Sequence, residues 1–174
     1  GEGLRWRDLQ RWWAAREQIV DQEEAKKTLY RRLRGSLPTT SPPQGFFFES
    51  FFKVFGRAVH HLPALLPEVW LHWDPRTVAE RGAEALARFR MDFLLLLPHG
   101  IRVVVEIDGK QHFADEDGRA SPKRYSAMVA ADRDLRLAGY EVYRFGATEL
   151  GSAEASSVLV KEFFVRLFAR HGVS

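Results

Sequence analysis

The chain has 174 residues, no cysteine, and a net charge of only +3 from 26 Lys and Arg against 23 Asp and Glu. That length fits one domain with a small appendage, and the lack of cysteine excludes a disulfide framework or a thiolate metal centre. No run of ~20 apolar residues occurs, so no segment reads as a membrane span, and a pI near 9.4 permits nucleic-acid binding without arguing for it.

The opening Gly1-Glu2-Gly3 is neither a signal peptide nor an initiator methionine. It reads as a processing boundary in a longer, cytoplasmic protein. Residues 4 to about 20 have helical spacing, with Leu9, Trp12, Trp13, Ile19 and Val20 on roughly one face. Asp21-Gln-Glu-Glu24 resembles a capping box and starts a second helix, in which Ala25, Leu29 and Leu33 recur every four residues before Gly35. Residues 1–35 therefore form a helical hairpin whose tryptophans serve packing before base stacking. The basic groups Arg31-Arg32-x-Arg34 and Lys123-Arg124 read as solvated surface.

Residues 36–45, rich in Pro, Ser, Thr and Gly, read as a linker. From Phe46 to about Leu62, Phe48, Phe51, Phe52, Phe55 and Val59 build an apolar helical stripe, with Glu49, Lys53, Gly56 and His60 on another side. His60 and His61 lack a partner at metal-ligand spacing. Pro63 and Pro67 lead into a strand over residues 68–73, Asp74-Pro75 turns the chain, and 76–88 is a polar insertion.

Residues 90–112 carry the chemistry. Leu94–Leu97 and Val103–Val105 are continuous apolar runs, as in strands buried on both faces, joined by a tight turn at Pro98-His99-Gly100. If those three residues are the whole loop, Leu97 pairs with Ile101 and the count back sets Asp92 opposite Glu106. Glu106 and Asp108 then share a face. Like charges directly opposed across a sheet repel, and a divalent cation bound by carboxylate oxygens, in the manner of Mg²⁺, offsets that repulsion. The same register sets Arg90 opposite Asp108, so an ordinary cross-strand ion pair also accounts for part of the cluster. A one-residue slip would part Asp92 from Glu106.

The stretch 114–122 reads as a polar loop. Pro122 suits a helix start, and Met128, Ala131, Leu135 and Ala138 form the buried side of that helix up to Gly139. Tyr125 and Asp132 lie on a neighbouring face, towards the cleft. Residues 140–145 alternate as a strand, and strand–helix–strand order implies a right-handed crossover to a parallel neighbour. Arg144 on that strand either reaches a phosphate or pairs with Asp108. A last helix over about 152–170 is structural.

Asp92 at a strand start, a turn, then Val-Val-Val-Glu106-Ile-Asp108-Gly109-x-x-His112 resembles the core of the PD-(D/E)XK nuclease superfamily, nearest its very-short-patch repair endonuclease branch. Asp132-Arg133 and Gly139-Tyr-x-Val142-x-Arg144-Phe145 resemble the helix and strand that follow there, so the likeness covers about residues 46–150. The chain departs from the superfamily at Asp108, where a lysine is usual, which leaves the general base open.

The resemblance implies an α/β fold: a restriction-endonuclease-like mixed central sheet of four or five strands flanked by helices, here at residues 46–174 behind the hairpin and linker. It implies a Mg²⁺- or Mn²⁺-dependent endonuclease that cleaves DNA rather than RNA, serving bacterial phage defence, as a domain of a larger protein or complex. Asp92 and Glu106 would hold the metal with the Ile107 carbonyl, and Asp108 would assist as outer ligand or proton acceptor. Lys110 and His112 would meet the scissile phosphate, and Tyr125 and Arg144 the substrate. The superfamily often carries a further Glu on the helix before the first core strand, which makes Glu49 a catalytic candidate and Glu68 its rival. The alternative is a nuclease fold that binds nucleic acid or protein without catalysis, favoured by the atypical Asp108.

Overall fold

The structure, a computed structural model, describes residues 1–70, 90–109, 115 and 119–173. Among these residues five α-helices and four strands follow one another as α1 (Trp6–Glu17), α2 (Gln22–Arg34), α3 (Pro42–Phe55), β1 (Leu66–Trp70), β2 (Arg90–Leu96), β3 (Arg102–Asp108), α4 (Pro122–Leu137), β4 (Tyr140–Gly146) and α5 (Ala153–Arg170). The strands form one mixed sheet in the order β1-β2-β3-β4, antiparallel except for the parallel β3–β4 pair. The chain is therefore mixed α/β. No helix among the described residues is long and apolar enough to cross a membrane.

The central hairpin has the register counted from its turn. Phe93 pairs with Val105 and Leu95 with Val103, and the Leu97 N–H donates to the Ile101 carbonyl at 2.9 Å. His99 and Gly100 both take positive φ, 61° and 77°, which lets three residues reverse the chain. The parallel β4 follows from the α4 crossover as expected.

The sheet separates two apolar layers. On one face Phe93, Leu95, Val103, Val105, Ile107 and Phe145 pack with α3 and α5, where Phe47 sits 5.1 Å from the Phe93 ring and Phe51 4.8 Å from that of Phe164. On the other, Met91, Leu94, Val104 and Val142 meet Leu135 of α4. α4 is mostly exposed: Leu135 is its one buried residue, while Met128 and Ala131, and Ala138 beyond its end, are half-buried.

Two local expectations are corrected. α3 begins at Pro42, inside the stretch read as a linker, because the first turn of a helix leaves its N–H groups unused and so accepts Pro42 and Pro43. α1 buries Trp6, Gln10 and Ala14, four residues apart, rather than a face through Trp12 and Val20. Trp12 is 52% exposed, under the Arg16 guanidinium, and Trp13 packs inward with its indole N–H on Thr28 Oγ1 at 3.0 Å. Trp6 and Leu29 join the main core, so the first two helices pack into the same interior as α3 and α5. Gly3 (φ +76°) lies so close to the end of β2 that a Cβ there would stand 2.4 Å from the Leu96 carbonyl oxygen. β1 ends at Trp70; the rest of the expected strand and the polar insertion lie outside the described residues.

Candidate functional site

The regular β2–β3 ladder runs as far as Phe93↔Val105, and one step further sets Asp92 across from Glu106. Here the Asp92 side chain takes over from the main chain: its Oδ2 accepts the Ile107 N–H at 2.8 Å. Asp92 is 7% exposed, and a buried carboxylate is tolerated only with such donors or a positive partner. β1 continues the row. Pro67↔Phe93 and Val69↔Met91 flank Glu68, which therefore stands across from Asp92 on the other side. On the far edge Glu106 is the direct register partner of Arg144. A single row across four strands thus reads Glu68, Asp92, Glu106, Arg144.

The electrostatics follow from crowding. Glu106 is pushed up to about 8, first by burial and then by the Asp92 charge, with Asp108 adding to the rise; Arg144 and the Asp92 backbone N–H work against it. Glu68 is also raised, by burial first and by Asp92, while Arg90 opposes. Arg144 supplies the local positive charge: its Nη1 donates to Asp108 Oδ1 at 2.6 Å and its Nε lies 3.3 Å from Asp132 Oδ1. Burial would lower the guanidinium pKa, but the hydrogen bond and charge of Asp108, with Glu106 and Asp132, raise it on balance. Arg136 holds the second Asp132 oxygen at 2.9 Å, tying α4 to the same network.

The pairing of the arginines differs from the register count. Arg90 turns to Glu68 Oε2 at 2.9 Å, with its guanidinium carbon 5.9 Å from the Trp70 ring centre, and Asp108 is bound by Arg144. Of the residues singled out in the sequence, Asp92, Glu106, Ile107, Asp108 and Arg144 come together. Tyr125 is 56% exposed on α4, seven residues before Asp132, or ~10 Å along the helix at 1.5 Å per residue. Glu49 faces α2 instead, in a 2.6 Å pair with Arg34. Lys110 and His112 lie outside the described residues.

Glu68 is the member that spacing alone did not place. A three-residue turn dictates the β2–β3 register, but the long β1–β2 connection leaves that register to packing. The resemblance names it only as the rival to Glu49, and the local signal is an acid between Pro67 and Val69 at the mouth of an apolar strand.

As the side chains stand, no group of three acidic or histidine residues among those described is arranged to hold a metal ion. The donor set nevertheless suits a hard divalent cation. Its side-chain donors are carboxylate oxygens, one carboxyl keeps a proton well above the usual carboxylate range, and Glu68 Oε1 is buried without a hydrogen-bond partner among the described residues. In this arrangement a proton and two arginines supply what a cation would.

Comparison with protein families, with curated proteins and with solved structures gave no match.

Proposed function

We propose that this chain is a divalent-cation-dependent nuclease that hydrolyses phosphodiester bonds in DNA, built on a restriction-endonuclease-like PD-(D/E)XK scaffold. The observation that carries the reading is the buried Asp92 beside a Glu106 whose carboxyl is pushed up to about 8, by burial first and then by the Asp92 charge, in spite of Arg144. Asp92 and Glu106, with the Ile107 carbonyl, would hold Mg²⁺ or Mn²⁺. Such an ion lowers the pKa of a bound water and screens charge on a phosphoryl oxygen.

The chain's own groups do the rest. Asp92 anchors the end of β3 through the Ile107 N–H and so holds Glu106 in place. Arg144, fixed by Asp108 and Asp132, offers a rigid positive charge to a phosphate at the row's edge. Asp108 is committed to Arg144, so its part is to position that guanidinium. Lys110 and His112 follow β3 in sequence and are proposed as phosphate contacts, with Tyr125 on α4 as an exposed surface for a base. A role in bacterial defence belongs to the same reading, through the resemblance.

A second reading, nucleic-acid binding without cleavage, is favoured by the Arg144–Asp108 pair, which fills the place of the usual lysine with a closed ion pair. A plasmid-nicking assay with Mg²⁺ or Mn²⁺, with and without chelator, decides between them. Cleavage that chelator stops and that Asp92→Asn or Glu106→Gln abolishes is the expected result. Undiminished cleavage by both folded variants would remove the nuclease reading, and DNA binding without cleavage by the wild type would favour the second.

A further inference from the structure

Alternation along β4 gives its two faces different neighbours. Val142 and Arg144 turn towards α4 and the carboxylate row, whereas Glu141, Tyr143 and Phe145 turn towards α5. On the α5 side a cavity of about 430 Å³ is lined by Tyr143, Phe163, Arg166, Leu167 and Arg170. That volume falls in the range of ~300–1,000 Å³ usual for small-molecule sites. The four α5 residues stand at i, i+3, i+4 and i+7, hence on one face of the helix. Phe163 and Leu167 give the cavity an apolar floor, and the Phe163 ring lies 5.2 Å from that of Tyr143 at 69°.

Glu141 fixes one wall and leaves the arginines loose. Its Oε2 accepts the Tyr143 hydroxyl at 2.9 Å and lies 3.2 Å from Nε2 of His171, whose side chain is 8% exposed. Burial first, and then the hydrogen bond and charge of Glu141, push the Tyr143 phenol up, so it keeps its proton and goes on donating. Arg170 is 65% exposed and stands 3.9 Å from Glu141 Oε1, a separation at which an exposed pair holds little. Arg166, one turn earlier, is exposed and has no ion pair among the described residues. Like charges one turn apart weaken a helix, and two guanidinium groups against the single carboxylate of Glu141 leave the rim positive. On an ordinary solvated face such arginines stand over water; these two stand over aromatic rings.

We infer that this cavity is a second site, on the opposite face of the sheet from the carboxylate row, that binds a nucleoside monophosphate with its base on the Phe163 and Tyr143 rings and its phosphate between Arg166 and Arg170. The inference stands independently of the cation-dependent reading. Both halves of the ligand answer to something in the lining. Aromatic rings stack on the face of any base, and a guanidinium offers paired N–H donors to phosphate oxygens. A phosphate monoester carries about 1.5 to 2 negative charges at neutral pH, which matches two arginines, whereas a carboxylate brings one. The Tyr143 hydroxyl is already given to Glu141, so little is left to read the edge of a base, and discrimination among bases is weak.

Titration calorimetry of the full chain with AMP, in chelator so that no cation carries the phosphate, tests this. AMP should bind saturably, while adenosine and inorganic phosphate should each bind about 10-fold or more weakly, one lacking the charge-assisted bonds and the other the stacking. Arg166→Gln and Arg170→Gln alter exposed side chains and should keep the wild-type circular dichroism. Each should weaken AMP binding by about 10-fold or more, the factor carried by one hydrogen bond to a charged group. Inorganic phosphate bound as tightly as AMP would overturn the nucleotide assignment, and absence of saturable AMP binding by the wild type would overturn the site. AMP binding that both variants leave within a factor of about two would also overturn it; its loss in Arg144→Met would then put the nucleotide in the carboxylate row instead.

Discussion

Replacing Glu106 by glutamine tests the electrostatics of the row directly. In the folded chain its carboxyl is raised from the ordinary 4.5 to about 8. A carboxyl with a higher pKa when folded binds more protons in that state, so its contribution to stability is complete below the unfolded value. It is lost as pH rises towards about 8. At about 1.4 kcal/mol per unit the ceiling on this loss is about 5 kcal/mol. Glu106 retains some contact with solvent, and relaxation with water entry reduces the expected loss to about 2–3 kcal/mol. Urea unfolding in chelator at pH 5, 6.5 and 8.5 measures it. The wild type should lose that amount relative to Glu106→Gln across the range, since the glutamine cannot titrate while Glu68 and the other acids are common to both proteins. Stability profiles that run parallel within about 0.5 kcal/mol would refute the argument, because Glu106 would then ionise as freely as in the unfolded chain.

Two further outcomes follow from the ion pairs. Asp108→Lys installs the superfamily's usual residue but sets it against Arg144, so it should destabilise the fold by about 2 kcal/mol, and adding Arg144→Met should recover most of that; equal stability of the single and double variants in thermal unfolding would contradict it. Glu49→Gln removes an exposed pair with Arg34 and should cost no more than about 1 kcal/mol, with plasmid cleavage unchanged; a large loss of cleavage would return Glu49 to the site.

Much of the hairpin was legible because its loop is short. Three residues at Pro98–Gly100 leave one register that keeps Leu94–Leu97 against Val103–Val105, and that register alone brings Asp92 to Glu106. The parallel β4 was legible for a similar reason: a helix between two strands has one common way to return. The buried side of α1 was not. Trp6, Gln10 and Ala14 are no more apolar as a set than Leu9, Trp12 and Val20, and the choice fell to the site where Trp6 meets Phe52, ring centres 4.9 Å apart, in a core built from later helices.

Local pattern thus determined the two strands of the central hairpin and β4, where the central turn falls, and that two acids meet inside an apolar hairpin. Each of these depends on neighbours within about 20 residues, whose geometry is limited by alternation and loop length. Only the tertiary structure decided how the charges are shared: Arg144 went to Asp108 and Asp132, Arg90 to Glu68, and Glu68 itself entered the row. Those choices turn on desolvation and on which side chains a packed sheet brings within a few ångströms. Charges of opposite sign attract at any spacing along a chain, and burial selects the pairs that form.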